Sequence, residues 1–142
     1  MTVSAFVGES PDTIIQVNRT DSVARVVALL AERRIGCVPI VEDGRVLGIF
    51  SERDVVYGLA REGAALLDKP VEAVMTTPPV TIDADTPILS ALSLMTRRRI
   101  RHLPIVREGR MIGFVSIGDL VKSRIDRIES EVEAMRSYIQ SA

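Results

Sequence analysis

The chain has 142 residues, of which 46% are hydrophobic and 26% charged, a length and balance that predict one soluble domain with a substantial core. Its 18 basic and 19 acidic side chains nearly cancel, which leaves no field to hold nucleic acid or an anionic membrane. The single cysteine excludes an internal disulfide, and the N-terminus lacks the basic and apolar runs of a signal peptide or membrane span, so we expect a cytoplasmic location.

The first half of the chain predicts a strand, a helix, a hairpin and a second helix. A short β-rich run at residues 13–17 precedes Asp21, whose side chain we expect to cap a helix with apolar residues at helical spacing. An apolar strand at residues 37–41 then leads to Asp43-Gly44, a strong signal for a hairpin turn. The returning strand, residues 45–50, runs into the next helix.

The middle of the chain separates two similar halves. Residues 61–74 have a mostly helical composition, and residues 75–79 (Met-Thr-Thr-Pro-Pro) are the strongest break in the sequence. The first helix of the second half is expected to begin with Thr86 at the capping position. Pro87 then occupies the first helical position, where a missing N–H is tolerated.

The second half repeats the first, 65 residues later. Predicted strands at 102–106 and 110–115 flank a Glu108-Gly109 turn, and segments 16–56 and 81–121 align without a gap, with 13 of 41 positions identical. Such a duplication predicts two copies of one unit that bury a shared face. We therefore predict an α+β fold of two β-α-β-β-α units packed sheet to sheet about a pseudo-twofold axis, with clefts between them. The expected boundaries are 1–62 for the first repeat with its N-terminal strand, 63–77 for a linker, 78–122 for the second repeat and 123–142 for a C-terminal amphipathic helix.

The C-terminal tail carries a heptad-like apolar stripe on a helix of about six turns. Two interpretations remain open: the helix lies on the core of its own domain, or it pairs with a second copy of the chain. The stripe consists of Val121, Ile125, Ile128, Val132, Met135 and Ile139.

Each repeat has a Ser-x-x-Asp motif where a strand meets a helix, Ser51 to Asp54 and Ser116 to Asp119. One interpretation is a capping box, in which the serine and the acid satisfy backbone N–H groups at the helix start. The other is a ligand site, because a helix N-terminus favours phosphate and a carboxylate can accept both hydroxyls of a ribose. The presence of two motifs in register favours a ligand site beside the caps.

The repeats resemble a tandem pair of cystathionine-β-synthase (CBS) domains, a Bateman module, over about residues 13–122. The resemblance rests on an apolar-Pro-apolar-Val strand, an acidic-Gly turn and a Gly-x-x-Ser-x-x-Asp motif, which occur as residues 38–54 and again as residues 103–119. It implies clefts between the repeats that bind adenosine-containing ligands such as AMP, ADP, ATP, NAD or S-adenosylmethionine. It also implies a stand-alone regulatory protein.

The resemblance further implies which residues contact the ligand. Asp54 and Asp119 match ribose-binding acids, and Ser51 and Ser116 match contacts to ribose or phosphate. Arg53 is a candidate phosphate contact. The other implied contacts are Ile15 and Val80 beside the adenine, Val38, Pro39, Leu103 and Pro104 as an apolar wall, and Thr77, Arg101, His102 and Gly118.

The repeats differ where the apolar strand begins. Arg101 and His102 in the second repeat occupy a position that the resemblance associates with phosphate, whereas the first repeat has Gly36 and Cys37. Arginine offers phosphate a bidentate fork. We therefore expect the Asp119 cleft to bind phosphorylated ligands more tightly, with an affinity that rises from about pH 8 to 6 if His102 contacts phosphate as a cation.

Catalytic interpretations are weaker. A Cys37–His102 dyad would join equivalent positions of different repeats, and the sequence has no Cys/His cluster with metal-ligand spacing. We predict a non-catalytic sensor of adenine nucleotides (AMP, ATP or NAD) without a catalytic cofactor. The expected partners are a second copy of the chain and an unidentified downstream protein, with no nucleic acid or membrane. The alternatives are a structural or dimerisation module with empty clefts and, as a remainder, a small hydrolase or redox enzyme.

Overall fold

The computed structural model describes residues 1–8 and 13–141. Two similar α+β units follow each other along the chain. The helices and strands are α1 (Val23–Arg33), β1 (Cys37–Glu42), β2 (Arg45–Ser51), α2 (Glu52–Glu62), α3 (Ile88–Arg98), β3 (His102–Arg107), β4 (Arg110–Ser116) and α4 (Ile117–Ser141), with short 3-10 helices at Val3–Phe6, Gly63–Asp68 and Val71–Ala73.

Each repeat is built on a two-stranded antiparallel hairpin. β1 pairs with β2 and β3 with β4 in the same register, so that Cys37 lies opposite Ser51 and the equivalent pair follows in the second repeat. Asp43 and Gly44 have φ angles of 52° and 80°, the positive values that a two-residue type I′ turn requires. The second turn has the same conformation. The predicted strands and turns of both hairpins are confirmed.

The first helix of each repeat is capped one residue later than predicted. Ser22 rather than Asp21 caps α1, and its Oγ accepts the N–H of Arg25 at 3.2 Å. Pro87 rather than Thr86 is the N-cap of α3 and makes no side-chain hydrogen bond. The reason is the same in both repeats: the side chains of Asp21 and Thr86 are engaged by the turn that precedes the helix.

The prediction of a strand at residues 13–17 was wrong, because only one of these residues pairs with a neighbouring strand. Val17 forms a single parallel bridge to Ile40, and the equivalent bridge joins Ile82 to Ile105. A turn follows Val17 directly, so the chain leaves the hairpin edge before further pairs can form.

Two hydrophobic cores lie one in each repeat, and strands β2 and β4 contact each other between them. The segment predicted to be a linker contributes to the first core, because Leu66 and Val71 are fully buried there. The second core includes Met95, Leu103 and Val115. Residues 63–77 therefore pack as part of the first repeat.

The segment that precedes each repeat docks on the other repeat. The N–H of Val71 donates to the carbonyl of Asp21 at 2.8 Å, and the N–H of Val3 donates in the same way to Thr86 at 2.9 Å. Val3 is fully buried in the second core. We expected residues 1–62 to form the first repeat, but the N-terminal residues belong structurally to the second repeat. Val3 packs in the core of the second repeat in the way that Val71 packs in the core of the first.

A substitution at Gly48 on β2 can test whether residues 63–77 dock on the first repeat. A Cβ at Gly48 would lie 2.8 Å from the carbonyl oxygen of Thr76 and 2.6 Å from Sδ of Met75. The backbone of Thr76 is held by two hydrogen bonds to Ile49, of 2.8 and 3.0 Å, so it cannot retreat freely. We expect Gly48→Ala to reduce the free energy of unfolding by about 1–3 kcal/mol in urea denaturation. In the control Gly118→Ala, the new Cβ would have no neighbour closer than 3.7 Å, and equal stability of the two variants would contradict this docking.

The last helix is packed only in its first two turns. Leu120 is fully buried, and Ser123 and Arg124 are half-buried. The six apolar residues of the stripe, called the α4 stripe from here on, are 42% to 67% exposed. The interpretation that the helix lies on its own core is therefore wrong. Although α4 is 25 residues long, no helix within the described residues is long and apolar enough to cross a membrane.

Candidate functional site

A cleft of about 640 Å³ lies between the two repeats. The first repeat contributes the start of β1, the end of β2 and the first turns of α2. The second repeat contributes the end of α3, the start of β3 and residues 79–80. The lining residues are Gly36, Cys37, Ile49, Ser51, Glu52, Arg53, Asp54, Val56, Thr76, Pro79, Val80, Arg99, Ile100, Arg101 and His102.

Asp54 is held in this cleft by the N-terminus of α2. The N–H of Ser51 donates to Oδ2 of Asp54 at 2.9 Å, and the N–H of Asp54 donates to Oγ of Ser51 at 3.4 Å, which is a complete capping box. The hydroxyl of Thr76 donates to Oδ1 of Asp54 at 3.1 Å. The hydroxyl of Ser51 also donates to Oδ2 of Asp54 at 3.2 Å. Because a carboxylate has about four acceptor positions, Asp54 can cap the helix and still accept a hydrogen bond from a ligand.

Cations from both repeats border the cleft. Nη1 of Arg53 donates to the carbonyl of Arg99 at 2.8 Å, which joins the first turn of α2 to the end of α3 across the repeats. Arg99 and Arg101 lie on the side of the second repeat, and Glu52 and Asp54 are the acids of the lining. Three arginines against two carboxylates favour an anionic group in this cleft.

The rest of the lining is largely apolar. Ile49, Val56, Pro79, Val80 and Ile100 present hydrocarbon surface beside the charged groups. A mostly apolar wall with a few convergent polar groups is typical of small-molecule sites. Among the predicted contacts, Val80 lies on this wall.

Several predicted contacts lie outside the cleft. Val38 and Leu103 are completely buried in the two cores, and Pro39 and Pro104 beside them are buried as well. Ile15 packs against the first core. The prediction that these residues form the apolar wall was therefore wrong, because the middle of β1 and of β3 packs into the protein interior. In these two strands only the first residues, Cys37 and His102, line the cleft.

Thr77, Ser116, Gly118 and Asp119 do not line this cleft either. The hydroxyl of Thr77 donates to the carbonyl of Leu47 at 2.9 Å. Ser116 and Asp119 form the cap of α4, in which the N–H of Ser116 donates to Oδ2 of Asp119 at 3.1 Å. Asp119 borders a separate groove along α4.

Arg101 and His102 lie in the cleft of Asp54, where Gly36 and Cys37 also lie. The starts of β1 and β3 meet at the boundary between the repeats. The residues that differ between the two repeats therefore line the same cavity. The expectation that Arg101 and His102 favour binding at Asp119 was therefore based on a wrong placement.

Burial lowers the pKa of His102 from its ordinary value of 6.5, and Arg101 lowers it further, while Asp119 and Glu52 raise it. The folded state therefore favours the neutral ring. The contribution of this group to the free energy of unfolding is fully present above pH 6.5 and is lost as the pH falls below that value. We expect the ring resonances of this single histidine to titrate with a pKa below 6.5 in NMR spectra. A midpoint at or above that value would contradict the burial. Any gain in phosphate affinity from a charged His102 then moves to lower pH.

Cys37 is 4% exposed, and burial, together with Asp54, raises the pKa of its thiol to about 12. Cys37 and His102 do line one cleft, but a nucleophilic dyad needs a thiolate, which this environment suppresses. The described residues contain no group of three or more His, Cys, Asp or Glu side chains that could hold a metal ion.

The protonated state of Cys37 can be tested by alkylation. We expect iodoacetamide at pH 8 to modify the native protein roughly a thousandfold more slowly than the urea-unfolded chain, because the thiolate fraction falls tenfold per pKa unit. Comparable rates in the two states would show that the thiol is accessible and ionised. Mass spectrometry reports the modification directly, because Cys37 is the only cysteine.

Sequence reasoning missed Thr76 and the apolar residues Ile49 and Ile100. The one signal for Thr76 is its position in the break at residues 75–79, where the resemblance implies a contact from Thr77. In an extended segment, neighbouring side chains point to opposite sides, and the sequence does not say which side meets the cleft.

A family model described as "CBS domain" matches residues 11–61 and 71–126. The curated CBS domain-containing protein CBSX3, mitochondrial, from Arabidopsis thaliana is 32% identical over 125 residues, which are 84% of this chain and 61% of that protein. The chain therefore spans about three fifths of the length of this relative.

Solved structures share the fold. The crystal structure of a CBS-domain containing protein from Agrobacterium tumefaciens is 34% identical, with a TM-score of 0.77 over 87% of this chain and 92% of that one. The crystal structure of CBSX2 in complex with AMP is 24% identical, with a TM-score of 0.75 over 88% and 96% of the two chains.

Proposed function

Because this chain belongs to the CBS-domain family, whose model matches both repeats, we propose that it is a regulatory, non-catalytic module that binds an adenosine-containing nucleotide in the cleft at Asp54. The candidate ligands are AMP, ADP, ATP and NAD(H). The observation that carries this proposal is one cavity that combines a held carboxylate, an apolar wall and arginines from both repeats. The AMP bound by CBSX2, which shares the fold, is consistent with this ligand class.

Each part of the cleft suits one part of such a ligand. Asp54 has about one acceptor position left for a ribose hydroxyl, and a ligand that uses both hydroxyls would displace the hydroxyl of Thr76 or of Ser51 from the carboxylate. Ile49 and Val80 offer apolar surface for the adenine. Arg99 and Arg101 supply donors for the phosphate, and arginine is well matched to phosphate oxygens.

Regulation would follow from the position of the cleft between the repeats. A ligand that contacts both repeats stabilises one relative orientation, and this shift of populations is what a downstream protein would detect. The hydrogen bond from Arg53 to the carbonyl of Arg99 already crosses this boundary. A phosphate beside these groups would compete for Arg53 or add to the link.

The second proposed partner is another copy of the chain, bound through the α4 stripe. Its six apolar residues are exposed along one helix face at heptad spacing. Residues 122–127 carry three basic side chains and one acid, and residues 129–133 carry three glutamates. An antiparallel pair centred near Ile128 sets these opposite charges against each other, whereas a parallel pair would align like charges.

A thermal-shift panel of AMP, ADP, ATP, NAD, NADH and S-adenosylmethionine tests the binding proposal, with GMP as the control. A ligand that binds only the folded state adds about 2.7 kcal/mol at a hundredfold excess over Kd, so we expect a clear rise in melting temperature with at least one adenosyl compound. No rise with any of them would contradict the proposed function.

The exposed α4 stripe also favours the alternative of a dimerisation module with empty clefts. Protein purified from cells separates the two functions. A bound nucleotide that absorbs near 260 nm would support the sensor. A stable dimer without nucleotide, combined with a negative thermal-shift panel, would support the alternative.

A further inference from the structure

The two Ser-x-x-Asp motifs lead to different surroundings. Asp54 lies in the cleft between the repeats, whereas Asp119 borders a groove of about 710 Å³ whose other described lining comes from Met1, Phe6 and residues 122–131 of α4. Within the described residues, this groove has no lining from α1, the first hairpin or α2. Among the described residues, the cationic side chains of the groove at Asp119 are Lys122 and Arg127 of α4, whereas Asp54 faces a wall built from both repeats.

The hairpins differ in what fills the space beside each motif. In the second repeat the rings of His102 and Phe114 stack, with centroids 5.6 Å apart and planes inclined by 24°. The equivalent residues of the first repeat, 65 positions earlier, are Cys37 and Ile49, and both line the open cleft. Two stacked rings thus stand where the first repeat has two smaller side chains.

We propose, building on the function proposed above, that the module binds one nucleotide per chain, at Asp54, and that the His102–Phe114 pair closes the equivalent position at Asp119. The small residues Gly36 and Cys37 keep the first cleft open, so the site lies where the first strand carries no large side chain. Asp119 keeps only its role as the cap of α4.

Isothermal titration of the native protein with AMP, and then with ATP and NAD, tests the number of sites. We expect one equivalent per chain. Two equivalents would overturn this inference and leave the proposed function standing, whereas no binding of any of the three would contradict the proposed function and this inference with it.

Two variants test the role of the rings. Ile49→Phe introduces into the first cleft the ring that the second repeat carries, and we expect it to weaken binding at least tenfold. Phe114→Ile removes the ring that does not line the first cleft, and we expect a second equivalent of nucleotide. A folded Phe114→Ile variant that still binds one equivalent would show that the ring pair does not close the site. Circular dichroism and melting temperatures check that both variants fold.

Discussion

Asp54→Asn is expected to lower nucleotide affinity by about 10- to 150-fold, which corresponds to roughly 1.5–3 kcal/mol for a hydrogen bond to a charged group. The carboxylate lines the cleft, and its Oδ1 is oriented there by the hydroxyl of Thr76. Asparagine has nearly the same size but only one acceptor oxygen, so it cannot accept both ribose hydroxyls equally well. Calorimetry with the strongest ligand of the thermal-shift panel measures the loss.

Asp119→Asn is the matched control, because Asp119 forms the same kind of capping box with Ser116 but lies outside the cleft. Both variants should lose a similar part of the melting temperature through the weakened cap. Only Asp54→Asn should lose affinity. Equal affinities for the two variants, with lowered stability in both, would mean that capping is the whole function of the motif.

The double variant Ile128→Asp/Val132→Asp is expected to dissociate the proposed dimer. It places two charges in the middle of the α4 stripe, where they would be buried against the second copy, and an unpaired buried charge is strongly unfavourable. Because these side chains are 43% and 46% exposed in the single chain, the two hairpin cores should remain folded. Sedimentation measures the mass, and circular dichroism checks the fold.

Ser130→Asp/Ser137→Asp is the control for the added charge. These serines occupy f positions of the same heptads, on the side of α4 away from the stripe. We expect this variant to sediment as the native protein does. A stripe variant that stays dimeric would assign the contact to another surface, such as the repeats themselves.

Local patterns predicted the hairpins well, because their determinants are local. Asp43 and Gly44 adopt the positive φ angles of a type I′ turn with little help from the rest of the chain. The cap positions at Asp21 and Thr86 were each wrong by one residue. Each of these side chains can form a hydrogen bond either to the helix or within the preceding turn. The geometry of the turn decides which bond forms, and the sequence pattern does not contain that geometry.

The candidate site was only partly predictable for a different reason. Ser51 and Asp54 follow from one motif, and the structure places both in the cleft. Thr76, Ile49 and Ile100 come from three separate segments, and no local signal joins them. Arg101 and His102 were recognised as unusual, but the cleft to which they belong depends on how the two repeats meet.

The sequence alone determined the duplication, the two hairpins, the capped motifs and the apolar face of the last helix, because these depend on periodicity, turn chemistry and spacing within short segments. Only the tertiary structure decided that Val3 packs in the second core, that Val38 and Leu103 are interior, and that the arginines face Asp54. The physical reason is that the repeated pattern specifies the local structure within each unit. The contacts between the two units depend instead on the side-chain volumes at their boundary. There Gly36 and Cys37 line a cavity between the repeats, whereas the second repeat carries the stacked rings of His102 and Phe114 at the positions of Cys37 and Ile49.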